Sequence, residues 1–184
     1  VVFTSDNGGV VSGDSCSTSC LPLRGGKGRQ WEGGIREPLF FRVPGLTAPG
    51  SCCHVPVSGI DFYPTLLELA GVAPSQADAV DGVSLVPLLR GEAEDQLGER
   101  DLFWHYPHYG NQGGEPASTI RHGDWKLVVT KSNGKKGPIE ELFDLAADPG
   151  ETKNLAAEQP GVLAELKQRL DEASARDRDA VVKD

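Results

Sequence analysis

Apolar positions divide the chain into two parts of different character. Short apolar runs at Val1–Thr4 and Leu39–Val43, bounded by glycine or proline, predict buried strands of an α/β sheet. The spacing of apolar residues between positions 57 and 71 predicts a helix, with Asp61 as its N-cap. Residues 91–100 are rich in charge and predict an exposed segment.

Beyond Arg100, short strands separated by turn residues replace this alternation, and neighbouring strands this close normally pair antiparallel. The predicted strands are Leu102–Tyr106, Ala117–Arg121, Trp125–Thr130 and Ile139–Phe143, with turns at His122–Asp124 and Ser132–Lys135. A helical period over Pro160–Arg176 predicts a terminal helix that packs on this meander. We therefore expect one domain over residues 1–100 and a second over residues 101–184.

Asp6 and Asn7 follow the first apolar run directly and precede two glycines. Open α/β sheets place ligands at the carboxyl ends of their strands. A carboxylate beside an amide oxygen suits a hard cation such as calcium or magnesium. The same residues are also typical of an ordinary turn after a strand, and that alternative stays open.

A basic, glycine-rich segment covers residues 24–36, and Lys27 stands in it between two glycines. Glycine neighbours leave an ammonium group open to an anion, and lysine acts there as a compact point charge. The chain as a whole carries a net charge of −9, which argues against nucleic acid or an anionic membrane as its main partner. Local basicity in an acidic chain favours a small anionic substrate group.

Several motifs resemble, in order, the second half of the formylglycine-dependent sulfatases of the arylsulfatase A-like group. These motifs are Ser5–Gly8, Gly26–Gly28, Glu32–Pro38, Asp61–Leu67, Asp81–Leu85, Gly123–Leu127 and Glu141–Leu145. The resemblance implies a partial alkaline-phosphatase-like fold, in which residues 1–100 end the catalytic α/β domain and residues 101–184 form the small C-terminal subdomain. It also implies that an N-terminal half of the same protein is missing.

The resemblance further implies a role for each matching residue. Asp6 and Asn7 would bind Ca²⁺, and Lys27 would bind a sulfate oxygen during hydrolysis of a sulfate ester. The formylglycine would come from the absent N-terminal part, and the substrate would be a sulfated small molecule or glycan. The resemblance also implies that the protein is periplasmic, extracellular or lysosomal. For Glu32 and Arg36 we expect a structural role, as a pair that holds the lysine segment.

Cys20 begins a formal match to the Cys-x-Pro-x-Arg signature that is converted to formylglycine in this family. We reject it as the nucleophile, because it would then share one loop with Lys27 and the expected downstream Thr-Gly is lacking. The spacings of Cys16, Cys20, Cys52 and Cys53 do not fit a zinc site. They leave both disulfides and free thiols possible.

His105 and His108 lie in the richest aromatic and histidine cluster of the chain. Flat apolar faces with polar tips suit a sugar, so both are candidates for substrate binding, although a packed strand end explains the cluster equally well. Two other functions compete with sulfate ester hydrolysis. One is hydrolysis of a phosphate or phosphonate ester, which Asn7 disfavours because zinc or manganese sites prefer imidazole. The other is a non-catalytic carbohydrate-binding remnant.

Overall fold

The computed structural model describes residues 1–11, 18–73, 80–92, 95–110, 114–131 and 137–176. Contacts divide the chain into two compact units. The first unit contains Val1–Phe3 and Leu39–Arg100, and the second contains Thr4–Pro38 and Asp101–Asp184. A boundary thus falls after Arg100, but residues 4–38 group with the C-terminal part. The division into domains at residues 100 and 101 stays a prediction.

The first unit combines a small sheet with short helices. Strand β1 (Val2–Thr4) pairs with β2 (Leu39–Phe41). A 3-10 turn at Gly59–Asp61 leads into helix α2 (Phe62–Leu69). Two one-turn helices follow, α3 (Val86–Leu89) and α4 (Asp95–Gly98).

The two strands of the first unit form where they were predicted, but the prediction that they are buried is wrong for residues 1–184 by themselves. Phe3 is 64% exposed and Phe40 is 63% exposed, and their rings lie 6.1 Å apart. A two-stranded sheet cannot cover both of its faces with its own side chains. The strands therefore expose apolar side chains of a kind that is normally buried.

The predicted helix over residues 57–71 is shorter than expected, and Asp61 does not cap it with its side chain. The Asp61 carboxylate instead accepts hydrogen bonds from the backbone N–H groups of Ser58 (2.7 Å) and Val83 (3.0 Å). It also binds both terminal nitrogens of Arg100, with Nη1 at 2.7 Å. The prediction that residues 91–100 are exposed throughout is therefore wrong at Arg100, whose side chain is 17% exposed.

The second unit is built on the antiparallel meander predicted from the sequence. Its strands are β3 (Asp101–Tyr106), β4 (Ala117–His122), β5 (Trp125–Thr130) and β6 (Ile139–Asp144), in that order across the sheet. The predicted turn at residues 132–135 lies outside the described residues.

Helix α5 (Pro160–Arg176) begins and ends where its apolar period predicts, and it covers one face of the meander. Its buried residues Leu166 and Leu170 pack against core residues of strands β4, β5 and β6, which are Ile120, Leu127 and Leu142. The opposite face buries Val128 and Phe143 against Trp31, which precedes helix α1 (Glu32–Ile35). Both faces of the sheet are covered, and the three central residues of β5, Lys126 to Val128, are buried while the other three are half-buried.

Cys20, Cys52 and Cys53 are free thiols, and Cys16 lies outside the described residues. Within the described ranges, no helix combines the length and the apolarity that a bilayer crossing requires.

Candidate active site

The segment after Asp6 and Asn7 packs directly on the lysine segment. The Lys27 N–H donates to the Gly9 carbonyl at 2.9 Å, and the Gly8 N–H donates to the Gly34 carbonyl at 3.3 Å. A Cβ on Gly8 would collide with the Gly33 carbonyl and lie 2.7 Å from the Cα of Gly34. Only glycine permits two backbones to approach this closely.

Lys27 occupies a tight turn that is closed by a 3.0 Å hydrogen bond from the Arg29 N–H to the Gly26 carbonyl. Gly28 has φ +80°, the left-handed value that the third position of a type II turn requires. The Lys27 side chain is half-buried, and no carboxylate of the described part of the chain forms an ion pair with it.

Asp6 is exposed and Asn7 is half-buried. The Ser5 hydroxyl donates to the Asn7 carbonyl at 2.8 Å and orders this corner. Burial raises the pKa of Glu37, and the negative charge of Asp6 raises it further. One oxygen of Glu37 is buried without a hydrogen-bond partner among the described residues.

The oxygens of Asp6 and Asn7 fit a hard cation. A cation beside Asp6 would offset the negative charges of Asp6 and Glu37, which lie close enough to interact. The described residues contain no group of three or more histidine, cysteine, aspartate or glutamate side chains close enough to hold a metal. Calcium needs six to eight oxygen ligands, so Asp6 and Asn7 would supply only part of its shell.

The lysine segment is attached to the meander by polar contacts that the sequence did not reveal. Arg24 lies 3.9 Å from the centre of the Trp31 ring and forms a 3.0 Å ion pair with Glu141. The Trp31 indole N–H donates to the other Glu141 oxygen at 3.2 Å. Gln30 reaches the Ala117 carbonyl at 3.2 Å.

A buried ion cluster of Glu32, Lys126 and Glu151 also joins α1 to β5. The Lys126 ammonium lies 2.9 Å from Glu32 and 2.8 Å from Glu151, and its side chain is 0% exposed. The Glu32 N–H donates to the second Glu151 oxygen at 2.6 Å. Burial raises the pKa of Glu151, and the charge of Lys126 partly offsets this effect. Arg36 does contact Glu32, at 3.9 Å, but Lys126 is the closer partner.

The two candidate histidines lie in different surroundings. The His105 ring stacks on that of Phe103 at 6.1 Å, so both lie on the face of the sheet that α5 covers, opposite the lysine segment. His105 bonds Ser118 at 2.8 Å and lines a groove of about 410 Å³. His108 belongs to the loop that follows β3, and Gly114 of that loop packs against the Gly28 carbonyl. Gly114 therefore brings the chain that follows β3 close to the lysine turn.

The meander with its terminal helix and the Gly-Lys-Gly turn correspond to the C-terminal portion of an alkaline-phosphatase-like fold. The C-terminal model of the N-sulphoglucosamine sulphohydrolase family matches residues 27–176. The chain therefore belongs to the sulfatase family, as its motifs indicated.

Individual relatives agree with this assignment. A protein named sulfatase from Formosa agariphila is 41% identical over 168 residues, which are 87% of this chain and 29% of that protein. Arylsulfatase A from Homo sapiens is 34% identical over 189 residues, which are 91% of this chain and 36% of that protein. The crystal structure of Ps i-CgsB in complex with k-i-k-neocarrahexaose superposes with a TM-score of 0.77 and 27% identity, over 94% of this chain and 36% of that one. The chain thus spans about a third of the length of these relatives.

Proposed function

We propose that this chain forms part of a sulfuric ester hydrolase, in which Lys27 binds the sulfate group and Asp6 and Asn7 bind Ca²⁺. The observation that carries the proposal is the pair of backbone hydrogen bonds, Lys27 to Gly9 and Gly8 to Gly34, that joins the lysine turn to the segment after Asn7. This contact supports a single site for an anion and a cation. The sulfatase relatives support a sulfate ester as the anionic group.

In this proposal the Lys27 ammonium binds a non-bridging sulfate oxygen and stabilises the charge that develops there as the ester bond breaks. A bound Ca²⁺ would polarise the sulfate group from the other side. The nucleophile, a formylglycine, would lie in an N-terminal part outside residues 1–184, together with the remaining ligands of the metal. The isolated chain should then show no sulfatase activity.

The exposure of apolar residues in and beside β1 and β2 supports this view of an incomplete site. Val1, Phe3 and Phe40 are 84%, 64% and 63% exposed, and apolar faces of this kind normally pack on neighbouring strands and helices. We propose that the N-terminal half of the same protein covers them.

The substrate is proposed to be a sulfated glycan or an aryl sulfate. The Ps i-CgsB relative was crystallised in complex with k-i-k-neocarrahexaose, and this supports a glycan. For His108, the packing of Gly114, six residues further along the chain, on the lysine turn supports a role as a sugar contact. For His105, which lies on the opposite face of the sheet, substrate binding stays a prediction with less support.

The test compares Lys27→Ala with Lys153→Ala in the complete protein, with an aryl sulfate as substrate. Loss of one charge-stabilising group should lower kcat by about 10²–10³-fold. Lys153, which is exposed and pairs with Glu158 at 2.8 Å, is the matched control and should leave kcat unchanged. An unchanged kcat in Lys27→Ala would reject the assigned role.

A separate measurement addresses the metal. Asp6→Ala should abolish Ca²⁺ binding in isothermal titration calorimetry as well as turnover, since one carboxylate ligand is lost. Retained calcium affinity would contradict the ligand assignment. Comparing kcat/KM for an aryl sulfate and the matching aryl phosphate separates the sulfatase from a phosphate ester hydrolase.

A further inference from the structure

Helix α1 contacts both halves of the proposed site through Gly34. Its carbonyl accepts the N–H of Gly8, which follows the two candidate metal ligands directly. A Cβ at this position would collide with the Arg29 carbonyl and lie 2.6 Å from the Gly26 carbonyl. These two carbonyls bound the turn that carries Lys27, so the turn rests on the Cα of Gly34. A shift of α1 would therefore move Lys27 relative to the candidate metal ligands Asp6 and Asn7.

The position of α1 is set at its first residue. Glu32 is attached twice, through its N–H to the Glu151 carboxylate at 2.6 Å and through its own carboxylate to Lys126 at 2.9 Å. Lys126 and Glu151 are 0% and 1% exposed, and their charged groups lie 2.8 Å apart. The guanidinium of Arg121 adds a more distant contact at 3.9 Å. These bonds hold the first residue of α1 against β5.

Stability alone does not account for such a cluster. Well-packed apolar side chains in place of a buried ion pair are often equally stable or more stable, because charges are costly to remove from water. Glu151 also has φ +52°, a left-handed backbone conformation that is unfavourable for a residue with a side chain. Strain of this kind persists where the surrounding structure requires one geometry, and it concentrates at functional sites.

We infer that Glu32, Lys126 and Glu151 are positioning residues, which set the separation between the Lys27 ammonium and the edge formed by Asp6 and Asn7. The inference rests on the proposed role of Lys27 in sulfate binding. None of the three side chains touches the substrate in this scheme. They act through α1, whose Gly34 supports the lysine turn.

A double-mutant cycle in the complete enzyme tests this coupling, with kcat for an aryl sulfate as the readout. Lys126→Met should lower kcat about tenfold or more, at a temperature well below the unfolding midpoint of the variant. In the Lys27→Ala background, Lys126→Met should change kcat by less than about twofold, since no ammonium is left to position. The matched control is Lys167→Met, which breaks a 2.6 Å ion pair with Glu140 between α5 and β6. It should leave kcat unchanged in both backgrounds.

Each result has a defined meaning. If the effects of Lys126→Met and Lys27→Ala multiply, or if Lys126→Met leaves kcat unchanged, the positioning role is overturned and the proposed function stands. If Lys27→Ala itself leaves kcat unchanged, the proposed function and the inference both fail. Should Lys126→Met not fold, Glu32→Gln, which keeps the volume and the acceptor, enters the same cycle with the same criteria.

Discussion

Replacement of Arg100 by methionine tests how the first unit is held together. The Asp61 carboxylate is 0% exposed and accepts four hydrogen bonds, two from backbone N–H groups and two from Arg100. Without Arg100, a buried negative charge would retain only the two backbone donors. Removal of one partner from a buried ion pair costs about 3–5 kcal/mol, and we expect Arg100→Met to lower the free energy of unfolding by that amount at pH 7.

The pH dependence provides a second check on Asp61. Burial acts to raise its pKa, but the hydrogen bonds from Arg100, Ser58 and Val83 and the charge of Arg100 outweigh this effect, and the pKa lies below its usual value. A lowered pKa stabilises the folded protein above the unfolded value of about 3.9, and that stability is lost as the pH falls through the folded pKa. In Arg100→Met only the two backbone hydrogen bonds still oppose the effect of burial, so the pKa of Asp61 should rise and the difference between variant and parent should shrink on acidification.

Urea denaturation of the complete protein, with hydrogen exchange of peptides from α2, measures both effects. Arg90→Met is the matched control, because Arg90 is half exposed and lies 3.9 Å from Glu92. Exposed pairs contribute about 0–1 kcal/mol, so this control should differ little from the parent. A loss in Arg100→Met no larger than in the control, or one that does not depend on pH, would refute the reasoning.

Two further predictions concern the second unit, and both are measured as free energies of unfolding. Lys126→Met leaves the carboxylates of Glu32 and Glu151 buried together and should lower the free energy of unfolding by at least about 3–5 kcal/mol. Glu151→Gln leaves the pair of Lys126 and Glu32 in place and should lower it by about 1–3 kcal/mol. The reverse order would contradict the assigned ion cluster. Gly34→Ala forces backbone atoms apart and should cost about 1–3 kcal/mol. Gly161→Ala, whose Cβ meets nothing within 4 Å in α5, should be neutral or stabilising by up to about 1 kcal/mol, and equal effects at the two glycines would disprove the close packing of the lysine turn.

Local patterns predicted much of the fold. The alternation of β3 to β6 and the helical period of α5 lie within single segments, and the structure contains these elements with nearly the predicted bounds. Local spacing also identified Asp6, Asn7 and Lys27 as candidates, and the backbone contacts bring their segments together. A signal for Lys126 was present as well, since it is a lysine within the apolar strand β5, which is covered on both faces.

The partners of the charged residues required the tertiary structure. Lys126 and Glu32 are 94 positions apart in the chain, and Arg100 and Asp61 are 39 positions apart. A charged residue in a sequence is compatible with open solvent or with a buried pair, and only the packing of distant segments decides between them. The exposure of β1 and β2 has the same origin, because burial depends on neighbouring elements that strand propensity does not encode. The sequence by itself therefore determined the elements and the family, and the tertiary structure decided which charges meet, since ion pairing depends on distance in space and not along the chain.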